Sequence, residues 1–261
     1  MTAITQIGGV VFLISMFTFS FIDKRFNVRW KRAVAKTLSF STLYLLFVFL
    51  IVPLAAEPLG RVPLPMLEDN NVKPGNIWTC LLNRHYVRAD LREITFKAAT
   101  TLNEKYPGAI INYLDANFPF IDGFSLFPHL SHNDGKKLDL SFQYNDSVTG
   151  LISSDIPSII GYGVCEEPQV GEEDKPSYCE EKGYWQYSLL RTLVSQINKD
   201  KFIFDNKRTR VLINSFVGDR KIEKVFVEPH IKSRLKLTSP KIRFHGCQAV
   251  RHDDHIHVQL Y

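Results

Sequence analysis

This sequence has few cysteines, four in 261 residues. None of Cys80, Cys165, Cys179 and Cys247 is spaced as Cys-x-x-Cys, which excludes a cysteine-ligated zinc ribbon. No internal repeat is evident. Net charge is also scarce outside one short stretch. The formal net charge is +5. Between residues 23 and 36, Lys24, Arg25, Arg29, Lys31, Arg32 and Lys36 stand against Asp23 alone. That stretch accounts for the whole excess, and the remaining chain is formally neutral. Without a stripe of basic and aromatic residues, nucleic acid is excluded as a partner.

Two long stretches carry no charge at all, residues 4–22 and 38–56. Each is long enough to cross a bilayer as a helix, and neither has a polar face. The expectation is two transmembrane helices joined by the basic turn. Positive loops stay in the cytoplasm, so the N-terminus and everything after residue 56 should lie on the far side. No cation precedes the first stretch, so it makes a poor signal peptide. Leu54-Ala55-Ala56 can pass as a cleavage site for the second. Either way, the C-terminal part is exported from the cytoplasmic membrane to the periplasmic or outer side.

Residues 57–75 hold Pro58, Pro63, Pro65 and Pro74 with Gly60 and Gly75, an extended linker or wrapping arm. The division is therefore 1–56 as membrane anchor, 57–75 as Pro-rich linker and 76–261 as exported domain. Within the domain, Leu91, Ile94, Ala98 and Leu102 have helical spacing over residues 90–106. A second helix is predicted over 184–197. Residues 109–114, 211–216 and 224–228 read as strands, and 231–235 as a short helix after Pro229. Mixed helices and strands with irregular loops point to an α+β fold, a small antiparallel sheet with flanking helices. Residues 150–183 crowd acidic side chains around Cys165 and Cys179 and read as an exposed loop.

Six of the eight histidines fall in two segments, counting His245 just before the second. The tail His255-Ile-His257-Val-Gln259-Leu260 alternates with period two, a half-buried strand. Ile256, Val258 and Leu260 take the core face, and His255 and His257 share the other. Upstream, Ser131-His132-Asn-Asp-Gly135-Lys-Lys-Leu138-Asp139-Leu140 joins a turn to another alternating strand, with Asp139 opposite Leu138 and Leu140. Two imidazoles and one carboxylate are ordinary ligands for a catalytic zinc with an open position for water. Such an ion makes hydroxide available near neutral pH, and neighbouring groups can move protons.

His132 and Asp139, followed far downstream by His255-x-His257, resemble the LAS group of zinc peptidases. That group contains the penicillin-insensitive murein endopeptidases, the D-alanyl-D-alanine carboxypeptidases and the dipeptidases. The resemblance implies one zinc ion held by His132, Asp139 and His257, with His255 stabilising the transition state. The endopeptidase branch carries His-Asp-x-His-x-His, which His252-Asp253-Asp254-His255-Ile256-His257 fits. It also has a histidine three residues before the first ligand, and His129 fits. The other branch places a glutamate base where this chain has the shorter Asp254, so the base is Asp254 or His252. The function implied is a membrane-anchored metallopeptidase acting on peptidoglycan peptides, a crosslink endopeptidase. The alternatives are a D,D-carboxypeptidase or dipeptidase, or a wall-binding module without hydrolysis.

In an exported domain an even cysteine number implies disulfides. The preferred pairs are Cys165 with Cys179 and Cys80 with Cys247. His85 and His230 stand outside any motif and read as structural. No motif singles out Arg84 among the arginines as a carboxylate binder.

Overall fold

The computed structural model describes residues 2–127 and 129–261. Its centre is a six-stranded sheet. In spatial order the strands are Ile242–Arg243, Ile222–Phe226, His255–Leu260, Lys137–Ser141, Ile111–Tyr113 and Val72–Pro74. The four inner strands pair antiparallel, and both edge strands pair parallel to their neighbours. The sheet is thus larger than expected and mixed. The outer strand at residues 72–74 comes from the Pro-rich segment. Two smaller sheets accompany it, a pair joining Val62–Pro63 to Tyr86–Val87 and a three-stranded one centred on Tyr144–Asp146.

One face of the main sheet builds the core. Leu138, Leu140, Ile256, Val258 and Val225 pack with helix Ala89–Lys105 through Leu91, Ile94, Ala98 and Leu102. They also meet helix Asn206–Val217 through Leu212, Ile213 and Phe216. That second helix corrects the strand predicted at 211–216. Its start is set by Asp205, whose side chain accepts from the Arg208 amide at 2.8 Å, a standard N-cap. Thr209, Leu212, Ile213 and Phe216 then fall on one buried face, and burial of that face outweighs the strand preference of Val211-Leu-Ile. The helix predicted over 184–197 shrinks to Leu189–Leu193, which buries none of its residues. Without a core beneath them, its apolar side chains cannot hold more than one turn.

At the N-terminus, helix Gly8–Arg25 runs back against helix Arg29–Leu59. The turn is tied by Lys36 to Asp23 at 2.7 Å, and Thr18 meets Ser39 at 2.8 Å. Among the described residues one helix, Arg29–Leu59, is long and apolar enough to cross a membrane. Two were expected. The first falls short because Gln6, at φ 62°, breaks the helix before Gly8. Its uncharged part, residues 8–22, rises only about 22 Å at 1.5 Å per residue, against about 30 Å of hydrocarbon. Helix Arg29–Leu59 has the make-up of a membrane anchor or a signal sequence. It widens into a π-turn at Phe47–Ile51, because Pro53 lacks an N–H and its ring crowds the preceding carbonyls. Ile7, Val11, Val48, Val52 and Ala56 pack on Tyr86 of the domain, and the Tyr44 hydroxyl donates to the Leu81 carbonyl at 2.7 Å.

A disulfide joins Cys179 to Cys247, while Cys80 and Cys165 are buried free thiols. The expected pairs do not form. Cys179 sits in the short helix Lys175–Glu181, which folds back against the approach to the tail strand instead of closing its own loop. Cys80 lies instead beside Tyr113, Sγ to Oη 3.2 Å.

Candidate metal centre

The face of the sheet opposite the core carries the histidines. In the antiparallel register His257 stands across from Asp139 and His255 across from Ser141. Period-two alternation therefore puts Asp139, His255 and His257 on one side. His132 is delivered by the turn before the strand. All four are almost fully buried, at the floor of a 530 Å³ cleft walled by Phe127, Leu130, Trp185, Leu189 and Val250.

His257 Nδ1 lies 2.8 Å from Asp139 Oδ1 and 3.2 Å from His132 Nε2, and His132 Nε2 lies 3.3 Å from the same Oδ1. Donors bonded to one tetrahedral zinc at 2.0–2.1 Å sit about 3.3 Å apart. The triangle has the size such an ion requires. His132 Nδ1 is 2.5 Å from the Ala116 carbonyl, which fixes the proton there and leaves Nε2 bare, the usual orientation of a metal-bound imidazole. Burial lowers the His257 pKa to about 4, against the opposing pull of Asp139, so its ring is neutral at pH 7. Burial opposes ionisation of Asp139, yet His132, His255 and the His129 hydrogen bond hold its pKa well below the usual range. The chemistry of the donor set therefore fits a divalent metal. His129, His132 and Asp139 can also bring one donor each within 4.8 Å of one another. A buried His-His-Asp group able to hold a metal ion is present.

The other carboxylate oxygen of Asp139 faces a different set. Oδ2 is 3.1 Å from His129 Nδ1 and accepts from the Tyr162 hydroxyl at 2.8 Å. His129 also lies 3.3 Å from Asp115, which Arg84 binds at 2.6 Å. Burial alone would lower the His129 pKa, but Asp115 and Asp139 lift it to about 10. His129 is thus an imidazolium clamped between two carboxylates.

Asp254 does not face the triangle. Its Oδ1 is 2.5 Å from His255 Nδ1, and Oδ2 accepts from the Gly163 amide at 2.6 Å. Asp254 orients His255 from behind. Burial disfavours the charged ring of His255, but Asp254 and Asp139 raise its pKa. His252 lines the cleft, its ring 4.8 Å from that of His255. Burial and the nearby His255, His257 and His245 push its pKa well down, so it is a neutral imidazole, and its Nδ1 has no protein partner. Asp253 turns away to bind Arg251 at 2.9 Å.

Sequence reasoning missed Tyr162 and Asp115. Tyr162 comes from the loop read as an exposed acidic insertion, yet it is buried, donating to Asp139 and accepting from the Asp115 amide at 3.0 Å. The available signal is Gly161-Tyr162-Gly163. Both glycines have φ above 80°, and a Cβ at Gly161 would meet Leu114 at 2.3 Å. Only glycine permits so close an approach in that conformation. Arg84 meets Asp115 at one edge of the site. His85 is buried away from it, against Tyr86. His230 lies behind it, 2.9 Å from the Glu166 carbonyl.

No family model matches this chain, and no curated protein sequence matches it.

Proposed function

We propose that this protein is a membrane-anchored zinc metallopeptidase that hydrolyses peptide bonds in peptidoglycan, acting as a crosslink endopeptidase. The observation that carries the reading is the triangle of His132 Nε2, Asp139 Oδ1 and His257 Nδ1, with edges of 2.8 to 3.3 Å, at the floor of an open cleft. It uses the residues expected from the resemblance to the LAS peptidases. One zinc ion there would supply a Lewis acid and a water of lowered pKa. His255, whose charged form Asp254 and Asp139 favour, donates to the oxyanion that forms on the scissile carbonyl. His252, neutral and unpartnered at Nδ1, is the group placed to take a proton. Asp254 has both oxygens engaged, which weighs against the carboxypeptidase alternative, where that position is the base. The cleft belongs on the periplasmic or outer side, because the basic turn at residues 23–36 stays in the cytoplasm.

The test is zinc content and digestion of purified muropeptides by the full chain. One zinc per chain with crosslinked dimers converted to monomers is the expected result. Release of terminal D-alanine alone would replace the endopeptidase reading with the carboxypeptidase one. Zinc binding without cleavage would leave a wall-binding module, and a chain that takes up no zinc would end the proposal.

A further inference from the structure

The catalytic cleft is one of three hollows that adjoin in a row. Beside it lies a 340 Å³ pocket that shares His129 and Leu190 with the cleft. Arg84, Asp115 and Tyr162 stand at the inner end of this pocket, and Trp78, Leu82 and Ile160 form its apolar walls. Trp78 and Leu82 are also walls of a third hollow, of 470 Å³, whose other side is the apolar helix itself, at Phe40, Ser41, Tyr44 and Leu45. The row therefore leads from the histidine cluster to the surface of helix Arg29–Leu59.

The depth of that third hollow follows from helix geometry. Eight residues separate Lys36, the last cation of the turn, from Tyr44, where the helix is bonded to the domain through the Leu81 carbonyl. At 1.5 Å per residue this uncharged part free of the domain is about 12 Å long. A bilayer core of about 30 Å that begins at or beyond the charged turn must then take in residues 40–45. With helix Arg29–Leu59 across a bilayer, the hollow between this helix and Trp78 and Leu82 would lie at the level of lipid tails. Ile77 and Trp78 are exposed beside it, at 46% and 59%, apolar side chains that suit lipid and not water.

We infer that the substrate is a lipid-linked peptide, whose hydrocarbon chain occupies the hollow between Phe40, Leu45, Trp78 and Leu82 while its peptide reaches the histidine cleft through the middle pocket. This rests on the peptidase reading and on helix Arg29–Leu59 spanning a membrane. The carrier keeps its tail in the bilayer and the enzyme keeps its cleft against the bilayer surface. Binding energy from the remote tail then positions the peptide, as remote contacts do in other enzymes.

The test uses the full chain in lipid nanodiscs, with Trp30→Phe and Trp185→Phe so that Trp78 is the only indole. The probe is a polyprenyl-linked disaccharide peptide with a brominated prenyl chain, which quenches indole fluorescence on contact. Saturable quenching is expected, relieved by the unbrominated lipid-linked peptide and not by the same peptide without lipid. Ser41→Phe, which fills the hollow, should weaken this binding at least tenfold. In the otherwise native chain, Ser41→Phe should leave zinc content and cleavage of the lipid-free peptide unchanged. Quenching that is non-saturable, or that brominated phospholipid reproduces equally, would mean bulk lipid fills the hollow and would overturn the inference. Equal turnover of lipid-linked and lipid-free peptides, with Trp78 unquenched, would overturn it while leaving the peptidase reading intact. Saturable quenching without cleavage would uphold the binding site and defeat the peptidase reading instead.

Discussion

Asp139 and His257 face each other across adjacent antiparallel strands, with His257 Nδ1 2.8 Å from Asp139 Oδ1. The contact joins residues 118 apart in sequence. It also divides the Asp139 carboxylate between two tasks. One oxygen meets His257 and His132, and the other meets His129 and Tyr162.

That division predicts different outcomes for neighbouring histidines. His257→Ala should drop zinc content from ~1 per chain to near none, because three protein ligands are the minimum of such a site. His129→Gln should retain the metal, since His129 sits on the far oxygen. Elemental analysis of both variants decides. Zinc kept by His257→Ala and lost by His129→Gln would make His129, His132 and Asp139 the ligands.

Asp254→Asn separates a base from an orienting residue. The zinc should stay, and kcat should fall on the order of 10²- to 10³-fold, as when an oxyanion donor is lost. The sign of the pH effect follows from the carboxylate beside His255, which raises that imidazole's pKa. A required imidazolium makes activity fall as pH rises through its pKa. Removing the charge should therefore move the alkaline limb of kcat/KM to lower pH. A shift of the acid limb alone would identify Asp254 as the base.

Tyr162→Phe removes the donor to Asp139 Oδ2 and the acceptor for the Asp115 amide. Outer partners of metal ligands contribute about 10- to 100-fold in affinity. Competition with a chelator should show a loss of that size. An unchanged zinc affinity would reduce Tyr162 to a packing residue.

His85 adds to the acid sensitivity of the fold. It is fully buried, and burial lowers its pKa to about 3 against the opposing pull of a backbone hydrogen bond at Thr79. Its unfolded value is near 6.5. The unfolded chain thus binds the proton first, so stability is full above pH 6.5 and declines as pH falls towards 3. The loss is on the order of 5 kcal/mol at the acid limit. His85→Leu should flatten denaturant midpoints over that window relative to the native chain. Parallel pH slopes for the two proteins would contradict this.

The Cys179–Cys247 bridge closes a loop with a sequence separation of 68 residues. Cross-links of this kind contribute roughly 2–4 kcal/mol. Reduction should lower the thermal midpoint and loosen the cleft wall at Gln248 and Val250, measured by hydrogen exchange. Unchanged exchange at those amides would show that the wall is held by other contacts.

What the sequence determined by itself was local and periodic. Alternation over residues 255–260 is enough to place His255 and His257 together opposite Ile256 and Val258, because side chains on a strand switch faces at every step. Uncharged length marked the N-terminal helices, and helical spacing marked residues 90–106, within a residue at each end of the observed helix Ala89–Lys105. The failures were all matters of partners. Residues 211–216 read as a strand until the Asp205 cap and the core beneath Leu212 and Phe216 made them a helix. Residues 184–197 lacked a core and kept one short turn. The first apolar stretch was cut short by a backbone break at Gln6. Cysteine pairing depended on where helix Lys175–Glu181 packs, which spacing does not encode. Most of all, only the tertiary structure decided which side of Asp139 each group would occupy. Tyr162, Asp115 and His129 converge from separate loops, and no sequence period relates them. Their mutual distances are set by the packing of the loop through Gly161 against Leu114, a contact between segments that neither segment specifies alone.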